Sequence, residues 1–309
     1  MKIARITTTG VRGLPDRTFD LTDPANGQPF DMVFVTGPSG SGKTSFLDAI
    51  AAAKEDVAPY GARKSTAQYV RHGAKAAKIK IDWWLGEPER ASIGARGAEI
   101  GTESILAPHI PPSGAHDVAL QTLLETYDHT TENGKVEYFH AHRTLARGAT
   151  GSSALSPDSQ ASLRLGKEIF KYAVLPRYLL EIHLDGEAGP AEFQKRFATL
   201  SETKKLGGLR KTGSGREVFF TGSDGAELAI EDLSGSEQMA VLFAATSMFL
   251  GLSRSLLLID TPEKHLESGR VVPFTFALPG LGVDNQLIVA TGSKELVSAA
   301  NPQAVIKLG

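Results

Sequence analysis

The sequence predicts an α/β fold in which a mixed central sheet is joined to an antiparallel β-subdomain and a helical insertion. A β-branched and aromatic run at 31–36 leads through a glycine-rich turn into a helix pattern at 45–51. Residues 77–85 alternate between apolar and polar types, which is typical of a half-buried strand. The last third of the chain alternates helix and strand patterns, which favours strand–helix–strand units.

The composition is that of an ordinary globular protein, and it excludes several kinds of chemistry. Of the 309 residues, 41% are apolar and 22% are charged, and the formal net charge is −2, so there is no overall attraction to nucleic acid or acidic membranes. Cysteine is absent, which rules out disulfides, thiolate metal sites and cysteine nucleophiles. The first residues lack a signal-peptide core and the longest apolar run, 239–252, is too short to span a bilayer. We therefore expect a cytoplasmic protein without membrane insertion.

The first half of the chain is predicted to be mainly β-structure. Strand patterns cover 2–9, 17–21, 31–36, 77–85 and 136–139. A hairpin is expected in which 77–85 pairs with 91–100 around Gly86-Glu87-Pro88. We also expect a loop over 105–115, which holds three prolines, and a helix near 117–128.

The second half begins with a linker and a helical insertion. Residues 146–162 are rich in Gly, Ser, Ala and Thr, so we predict a linker or mobile loop there. Helix patterns follow at 163–180, 191–206, 235–252 and 294–299, and strand patterns at 208–230, 255–260, 286–290 and 304–308. The expected lobes of a single domain are 1–145, 146–206 and 207–309.

The glycine-rich turn is a candidate phosphate site. Residues 37–44 fit G-x-x-x-x-G-K-[ST] at every fixed position, between a strand and a helix as that motif requires; a chance Gly/Ser-rich turn is the alternative. Its backbone N–H groups would cradle phosphates, Lys43 would reach the β- and γ-phosphates, and Thr44 would hold Mg²⁺. We therefore predict ATP and Mg²⁺ as cofactors. The predicted nucleotide-binding residues of this turn are Gly37, Pro38, Ser39, Gly40, Ser41, Gly42, Lys43, Thr44 and Ser45.

Two later segments point to the same kind of site. Residues 255–260 form an apolar strand pattern that ends in Asp260, whose carboxylate would hold Mg²⁺ through water, although an apolar strand ending in Asp is common by itself. Upstream, Leu233-Ser234-Gly235-Ser236-Glu237-Gln238 begins an apolar helix, and small residues at a helix N-terminus make a second anion site. The three motifs in this order are specific together.

With these motifs the chain resembles the ABC-type ATPase heads of the structural-maintenance-of-chromosomes (SMC) and overcoming-lysogenisation-defect class. Residues 233–238 are similar to the LSGGE-like signature, and residues 257–266 to LLIDEPExHL, the Walker B and D-loop segment. Residues 286–296 resemble QVIVTTHSPEL, the switch segment, and residues 138–143 lie where such proteins have a mid-chain YF…R strand. The resemblance covers nearly the whole chain, strongly at three motifs and loosely between them.

The resemblance implies a single ABC-type ATPase domain with a shared nucleotide site. In such heads the signature of one subunit completes the phosphate site of another, so Ser234, Gly235, Ser236 and Glu237 are expected to bind ATP held by a second copy. Arg63 falls where related heads place an arginine that touches the phosphates. The sequence contains no long coiled-coil arms or nuclease module, so we expect an effector or nuclease subunit as a separate partner.

Two catalytic positions differ from the family pattern. The residue after the Walker B aspartate is usually a glutamate that polarises the attacking water, but here it is Thr261, and the switch histidine position is Gly292. Each loss removes a group worth roughly 10²–10⁴-fold in rate. Glu263 could replace the base if the turn at Pro262 aims it inward; alternatively it is an acid favoured by a helix dipole. We therefore predict Glu263 and Lys43 as catalytic residues, with slow hydrolysis.

Basic and histidine residues leave further alternatives open. The run 63–80 has no acidic residue, and a second basic cluster comprises Lys195, Arg196, Lys204, Lys205, Arg210, Lys211 and Arg216. Each set either contacts DNA phosphates or simply faces solvent. His140 and His142 alternate on a predicted strand, and they either flank the γ-phosphate or pack without a ligand. His265 is expected to order the dimer interface.

Three functions follow from the sequence. The first is a head that dimerises on ATP and hydrolyses it slowly, within a DNA-repair, genome-maintenance or anti-phage defence complex. The second is a non-hydrolysing, nucleotide-gated scaffold. The third is a P-loop kinase, because the loop at 37–44 also resembles that of nucleoside-monophosphate kinases.

Overall fold

The computed structural model describes residues 1–61, 66–108, 110–145, 156–213 and 215–309. Its strands are β1 (Lys2–Thr9), β2 (Arg17–Asp20), β3 (Met32–Thr36), β4 (Ala77–Trp84), β5 (Glu99–Ala107), β6 (Ile110–Ala115), β7 (Val136–Phe139), β8 (Lys204–Thr212), β9 (Gly215–Gly222), β10 (Glu227–Ala229), β11 (Leu256–Asp260), β12 (Gln286–Ala290) and β13 (Val305–Lys307). Its helices are α1 (Lys43–Val57), α2 (Glu87–Ile93), α3 (Val118–Glu125), α4 (Pro157–Ala161), α5 (Leu175–Leu184), α6 (Ala188–Leu200), α7 (Gly235–Phe249), α8 (Ser268–Ala277) and α9 (Lys294–Ala299). Within these ranges no helix has the length and apolar character needed to cross a membrane.

The central sheet is parallel and buried on both faces. Its order is β13-β3-β12-β11-β7, and every neighbouring pair runs in parallel. One face, with Val33 and Leu258, packs in a core that contains α1, and the opposite face, with Phe34 and Ile259, packs in a core that contains α7. In such sheets the carboxyl ends of the strands meet at one edge, where ligands bind.

Two antiparallel sheets flank the central one. The larger has the order β2-β1-β4-β5-β6 and shares its core with α1. The smaller has the order β10-β9-β8 and contributes to the core of α7. On β4, Trp83 is buried and the next residue, Trp84, is half-buried, as expected for neighbours on opposite faces of a strand.

The predicted α/β fold class is confirmed, but the central sheet is parallel throughout and not mixed as expected, because the antiparallel pairings lie in separate sheets. The strands predicted at 2–9, 136–139 and 286–290 and the helix predicted at 294–299 have the same bounds in the structure. This agreement extends to the ends of the segments, which are the part of an element that sequence patterns define least well.

The predicted strand at 91–100 and the predicted loop at 105–115 are wrong. Pro88 falls in the first turn of α2, and the Glu89 carboxylate accepts a hydrogen bond from the Gly86 N–H, so a helix forms where a strand was expected. On its side away from β1, β4 pairs with β5, which begins only at Glu99 and extends to Ala107. The proline-containing segment 110–115 pairs with β5 at the sheet edge, where a missing proline N–H is tolerated.

The helices predicted at 163–180 and 191–206 are only partly correct. Residues 163–174 form turns that cover the edge of β7, because the Tyr138 N–H donates to the Arg164 carbonyl and Lys171 donates to the Tyr138 carbonyl. Helix α5 begins only at Leu175, next to a proline in its first turn. Helix α6 ends at Leu200, because the chain turns to extended backbone at Ser201 and then pairs as β8.

The predicted linker lies largely outside the described residues. Of 146–162, the structure describes only 156–162, which include the short helix α4. Arg63, predicted to touch phosphates, and Lys64, from the basic run, also lie outside the described residues.

Candidate functional site

The predicted phosphate loop joins β3 to α1 and is built around glycines. Gly37, Gly40 and Gly42 have φ values of 154°, 81° and 96°, in the region that favours glycine. A Cβ atom at Gly42 would lie 1.9 Å from the Gly13 carbonyl oxygen. The loop backbone therefore follows a path that residues with side chains do not take without strain.

The phosphate loop contains the Lys43 ammonium and the Ser41 hydroxyl. Lys43 Nζ donates to the carbonyl oxygen of Gly37 at 2.9 Å and to that of Pro38 at 2.8 Å. The buried Ser41 hydroxyl has no partner in the part of the chain that the structure describes. Pro38, Ser39 and Gly40 are exposed. The loop is thus open to solvent, and within the described ranges its ammonium group is held only by carbonyls that an anion can replace.

Thr44 and Asp260 meet at the carboxyl edge of the central sheet. The Thr44 hydroxyl donates to Asp260 Oδ2 at 2.9 Å, although the two residues are far apart in sequence. The Thr261 hydroxyl donates to Asp260 Oδ1 at 3.1 Å, and the Asp260 side chain is buried. Hydroxyl and carboxylate oxygens are the ligands that Mg²⁺ takes together with nucleotide phosphates, so this pair fits that metal.

Glu263 reaches the segment after β12. Its carboxylate accepts a hydrogen bond from the Thr291 hydroxyl at 3.0 Å and one from the Gly292 N–H at 2.9 Å. The turn at Pro262 therefore directs Glu263 toward the sheet edge, and not onto the N-terminus of the following helix, α8, which begins at Ser268. The acid lies beside the position where the resemblance places a histidine and this chain has glycine.

The signature segment begins α7 with a reciprocal cap. The Ser234 hydroxyl accepts from the Glu237 N–H at 3.3 Å, and the Glu237 carboxylate accepts from the Ser234 N–H at 2.8 Å. Partial burial raises the pKa of Glu237, but hydrogen bonds from Ser234 and Thr203 outweigh it and lower that pKa overall. Ser234 and Gly235 are exposed, and the Ser234 and Ser236 hydroxyl oxygens lie 3.2 Å apart. Among the described residues, no hydrogen bond joins this corner to the phosphate loop of the same chain.

The expectation that His140 and His142 alternate on a strand is wrong. Strand β7 ends at Phe139, and both histidines lie in the turn after it, where His140 Nδ1 accepts from the His142 N–H. His140 is buried, and burial, with the nearby Lys171 ammonium, lowers its pKa to about 3. The imidazole is therefore neutral and carries its proton on Nε2. His265, which packs against Gly235, also has a pKa lowered by burial.

A cleft of about 100 Å³ lies beside the phosphate loop and was not predicted from the sequence. Its lining includes Arg12, Ser45, Asp48, Tyr69 and Lys167. Lys167 Nζ lies 2.7 Å from Asp48 Oδ1, so the turn after the linker is tied directly to α1. Ser45 was predicted as part of the phosphate turn, but nothing in the sequence pointed to Asp48 or linked Lys167 to it.

Several cations of the two basic sets are already engaged within the chain. Arg196 pairs with Glu192 and also donates to the Ser247 hydroxyl, and Arg210 pairs with Glu217. Exposed basic side chains remain at Lys75, Lys78, Lys80, Lys195, Lys205, Lys211 and Arg216. Of these, Lys78 and Lys80 lie on the same face of β4, and Lys211 is paired with Arg216 across β8 and β9, so DNA contact by these sets stays a prediction.

The contacts of Arg143 at the end of β11 were not predicted from the sequence. It is fully buried, and its guanidinium donates to the carbonyl oxygens of Asp260 at 2.7 Å and Thr261 at 2.9 Å. The sequence signal was only its place in the YF…R segment, which did not show where the guanidinium points.

Comparison with solved structures reveals the same fold in SMC head domains. An SMC head bound to the C-terminal winged-helix domain of ScpA has a TM-score of 0.61 at 17% identity, over 100% of this chain and 98% of that one. A Pyrococcus furiosus SMC head with an extended coiled coil, bound to the C-terminal domain of ScpA, gives 0.57 at 14% identity, over 96% and 91%. The SMC head domain of Thermotoga maritima gives 0.51 at 14% identity, over 97% and 93%. No family model matches the chain, and no curated protein does.

Proposed function

We propose that this protein is an ATP-binding ATPase head of the ABC type that binds Mg²⁺-ATP and hydrolyses it slowly. The observation that carries the proposal is the 2.9 Å contact between Thr44 and Asp260, which joins the start of α1 to the end of β11 beside a complete phosphate loop. The fold shared with SMC heads supports it. Fold alone does not imply function, so the proposal depends on the site.

The loop residues would bind the phosphates by exchanging internal partners for ligand oxygens. Lys43 leaves the carbonyls of Gly37 and Pro38 and pairs with the β- and γ-phosphates, while the loop N–H groups and the α1 N-terminus face the anion. Mg²⁺, held by Thr44 and Asp260, would neutralise phosphate charge. The cleft beside Ser45 is large enough to receive part of the nucleoside.

Glu263 is the candidate general base for water attack. The Thr291 and Gly292 donors hold its carboxylate at the edge where the γ-phosphate of a bound nucleotide would lie. Slow hydrolysis follows, because neither Thr261 nor Gly292 supplies an acid-base side chain of its own.

Dimerisation on ATP is the second part of the proposal. The exposed Ser234 and Gly235, with Ser236 and Glu237, form a helix N-terminus suited to the γ-phosphate of ATP held by a second copy. ATP then favours the closed dimer through its greater affinity for that state. Arg63 is proposed to assist at the phosphates.

We further propose a separate effector subunit and a role in DNA repair, genome maintenance or anti-phage defence. Two of the similar SMC heads were solved with a domain of ScpA, so heads of this fold do bind a second protein. Direct DNA contact and a cytoplasmic location belong to the same proposal.

The particle mass in the presence of ATP, ADP or no nucleotide tests the shared site. We expect a dimer with Mg²⁺-ATP and a monomer otherwise, and we expect Ser234→Arg to stay monomeric while still binding ATP. A monomer in all three states contradicts the shared site. Phosphate release measured beside Lys43→Ala separates slow hydrolysis from a non-hydrolysing scaffold, and transfer to AMP or GMP would favour a kinase.

A further inference from the structure

Arg143 is a buried cation whose described hydrogen bonds all go to backbone carbonyls. Its Nη1 atom donates to the carbonyl oxygens of His140 at 3.2 Å and Asp260 at 2.7 Å. Its Nη2 atom donates to those of Thr261 at 2.9 Å and Pro262 at 3.3 Å. The carbonyls of three consecutive residues, from the last residue of β11 onward, thus accept hydrogen bonds from one guanidinium. Burial lowers the pKa of Arg143, but an arginine stays charged at neutral pH.

This convergence requires an unusual backbone at Thr261. The φ of Thr261 is 53°, which is strained for a β-branched residue. The Thr261 N–H donates to the Ala290 carbonyl at 2.8 Å, so the strained residue also joins β11 to the end of β12. The planar guanidinium has several donors in a fixed arrangement, so it can bind several carbonyls at once. A lysine ammonium has no such planar arrangement of donors.

The strained turn sets the direction of two site residues. Asp260 precedes it and accepts from the Thr44 hydroxyl, and Glu263 follows it and accepts from Thr291 and Gly292. A change in the backbone between Asp260 and Glu263 would therefore move the candidate base away from the sheet edge while leaving the phosphate loop in place.

We propose that Arg143 is a positioning residue for ATP hydrolysis. Its guanidinium, brought from the turn after β7, holds residues 260–262 in the conformation that places Glu263 on the turn at Thr291 and Gly292. It acts through the backbone and does not contact the nucleotide. Its expected effect on the reaction rests on the proposed function, but its effect on the backbone does not.

The test compares Arg143→Lys with a matched control, Arg164→Lys. Arg164 is also buried and also donates to backbone carbonyls. Its described partners are Gln160, Lys171 and Glu137 on β7, whose carboxylate lies 3.7 Å away, and none of them belongs to the turn after β11. For Arg143→Lys we expect kcat to fall about 10–100-fold, since small misplacements cost this much, with the Kd for ATP changed less than about threefold. Arg164→Lys should leave kcat unchanged.

A second variant distinguishes positioning from a general loss of structure. Glycine adopts a positive φ without strain, so Thr261→Gly in the Arg143→Lys background should restore kcat several-fold relative to Arg143→Lys alone. Unchanged kcat in Arg143→Lys, an equal loss in Arg164→Lys, or no restoration by the added glycine would each overturn the inference.

Hydrogen exchange without nucleotide tests the backbone directly. Arg143→Lys should speed amide exchange in peptides covering 260–266 and 290–293, where the Thr261 and Gly292 N–H groups are bonded, while Arg164→Lys should not. This result supports positioning even if the wild-type protein binds no ATP, an outcome that would contradict the proposed function alone. Unaltered exchange in both peptides would overturn the inference.

Discussion

The two sides of the carboxyl edge are built in different ways. On the β3 side, the phosphate loop follows a backbone path that depends on glycines, and Lys43 and Thr44 occupy the positions that the motif demands. On the β11 and β12 side, the backbone of Thr261 is strained and its carbonyl accepts a hydrogen bond from the buried Arg143. Glu263, two residues after Thr261, accepts a hydrogen bond from the Gly292 N–H. A backbone path that needs glycines tolerates little change, whereas side-chain contacts at a sheet edge can be rearranged.

The largest effect should come from the β3 side. Lys43→Ala removes a charged donor that would face two phosphates, and since each charge-assisted hydrogen bond is worth about 1.5–3 kcal/mol, the Kd for ATP should rise by at least 100-fold. Titration calorimetry or a fluorescent nucleotide analogue measures this. Lys307→Ala, which removes a cation from the neighbouring β13, is the control and should bind normally. Equal weakening in both variants would mean that only general charge matters.

The second prediction concerns the opposite side. Glu263→Gln should lower kcat about 100-fold by removing the base, at the low end of the usual effect of roughly 10²–10⁴-fold, while the Kd for ATP changes little. Glu295→Gln is the matched control, because this exposed acid accepts from Ser268 and not from the Thr291–Gly292 turn. If Glu263→Gln hydrolyses ATP as fast as the wild type, the carboxylate is not the base, and the two sides differ less than we propose.

The sequence predicted the β3 side because its chemistry follows from contiguous residues. A strand, a glycine turn, a lysine and a threonine at fixed spacing define the loop. On the neighbouring strand, the apolar pattern that ends in Asp260 predicted the residue that Thr44 contacts. The sheet edge that unites them follows from parallel pairing.

The other side could not be predicted in the same way. Whether Glu263 turns inward depends on the φ of Thr261, and that angle depends on a guanidinium from a distant turn. Strain of this kind is maintained by tertiary contacts and leaves no local pattern. The same reason explains why residues 163–174 do not form the predicted helix. The hydrogen bonds that Lys171 and Arg164 make with β7 outweigh the helix propensity of this segment.

A third prediction concerns Gly292, which stands after β12 where the resemblance places a histidine. A Cβ atom at Gly292 would lie 3.8 Å from Glu263 Oε1, an ordinary contact, so a larger residue fits. Gly292→His adds a donor for the γ-phosphate, and we expect kcat to rise about tenfold, which is less than the roughly 10²–10⁴-fold that a fully positioned acid-base group contributes. Gly292→Ala adds only a methyl group and should give no rise. A similar rate in both variants would show that hydrolysis is limited elsewhere.

The smallest expected effect is on stability, and it comes from the turn that also carries Arg143. His140 is neutral in the folded protein with a pKa of about 3, whereas an unfolded histidine titrates near 6.5. Below pH 6.5 the unfolded chain therefore binds a proton that the folded chain refuses, and stability falls as the pH decreases toward 3. Between pH 7.5 and 5.5 this one group should cost about 1.4 kcal/mol.

Urea unfolding of the wild type and of His140→Gln at both pH values measures this contribution. The variant should lose less stability than the wild type over the interval, by the amount that His140 supplies. Protonation at Nδ1 would also break the hydrogen bond from the His142 N–H, so the cost has a local structural cause. ATP binding at pH 7.5 should be the same in both proteins, because the phosphate loop does not depend on this turn. A wild type and variant with the same pH dependence would place the charged imidazole within reach of solvent, and the hydrolytic side would then be less tightly packed than the binding side.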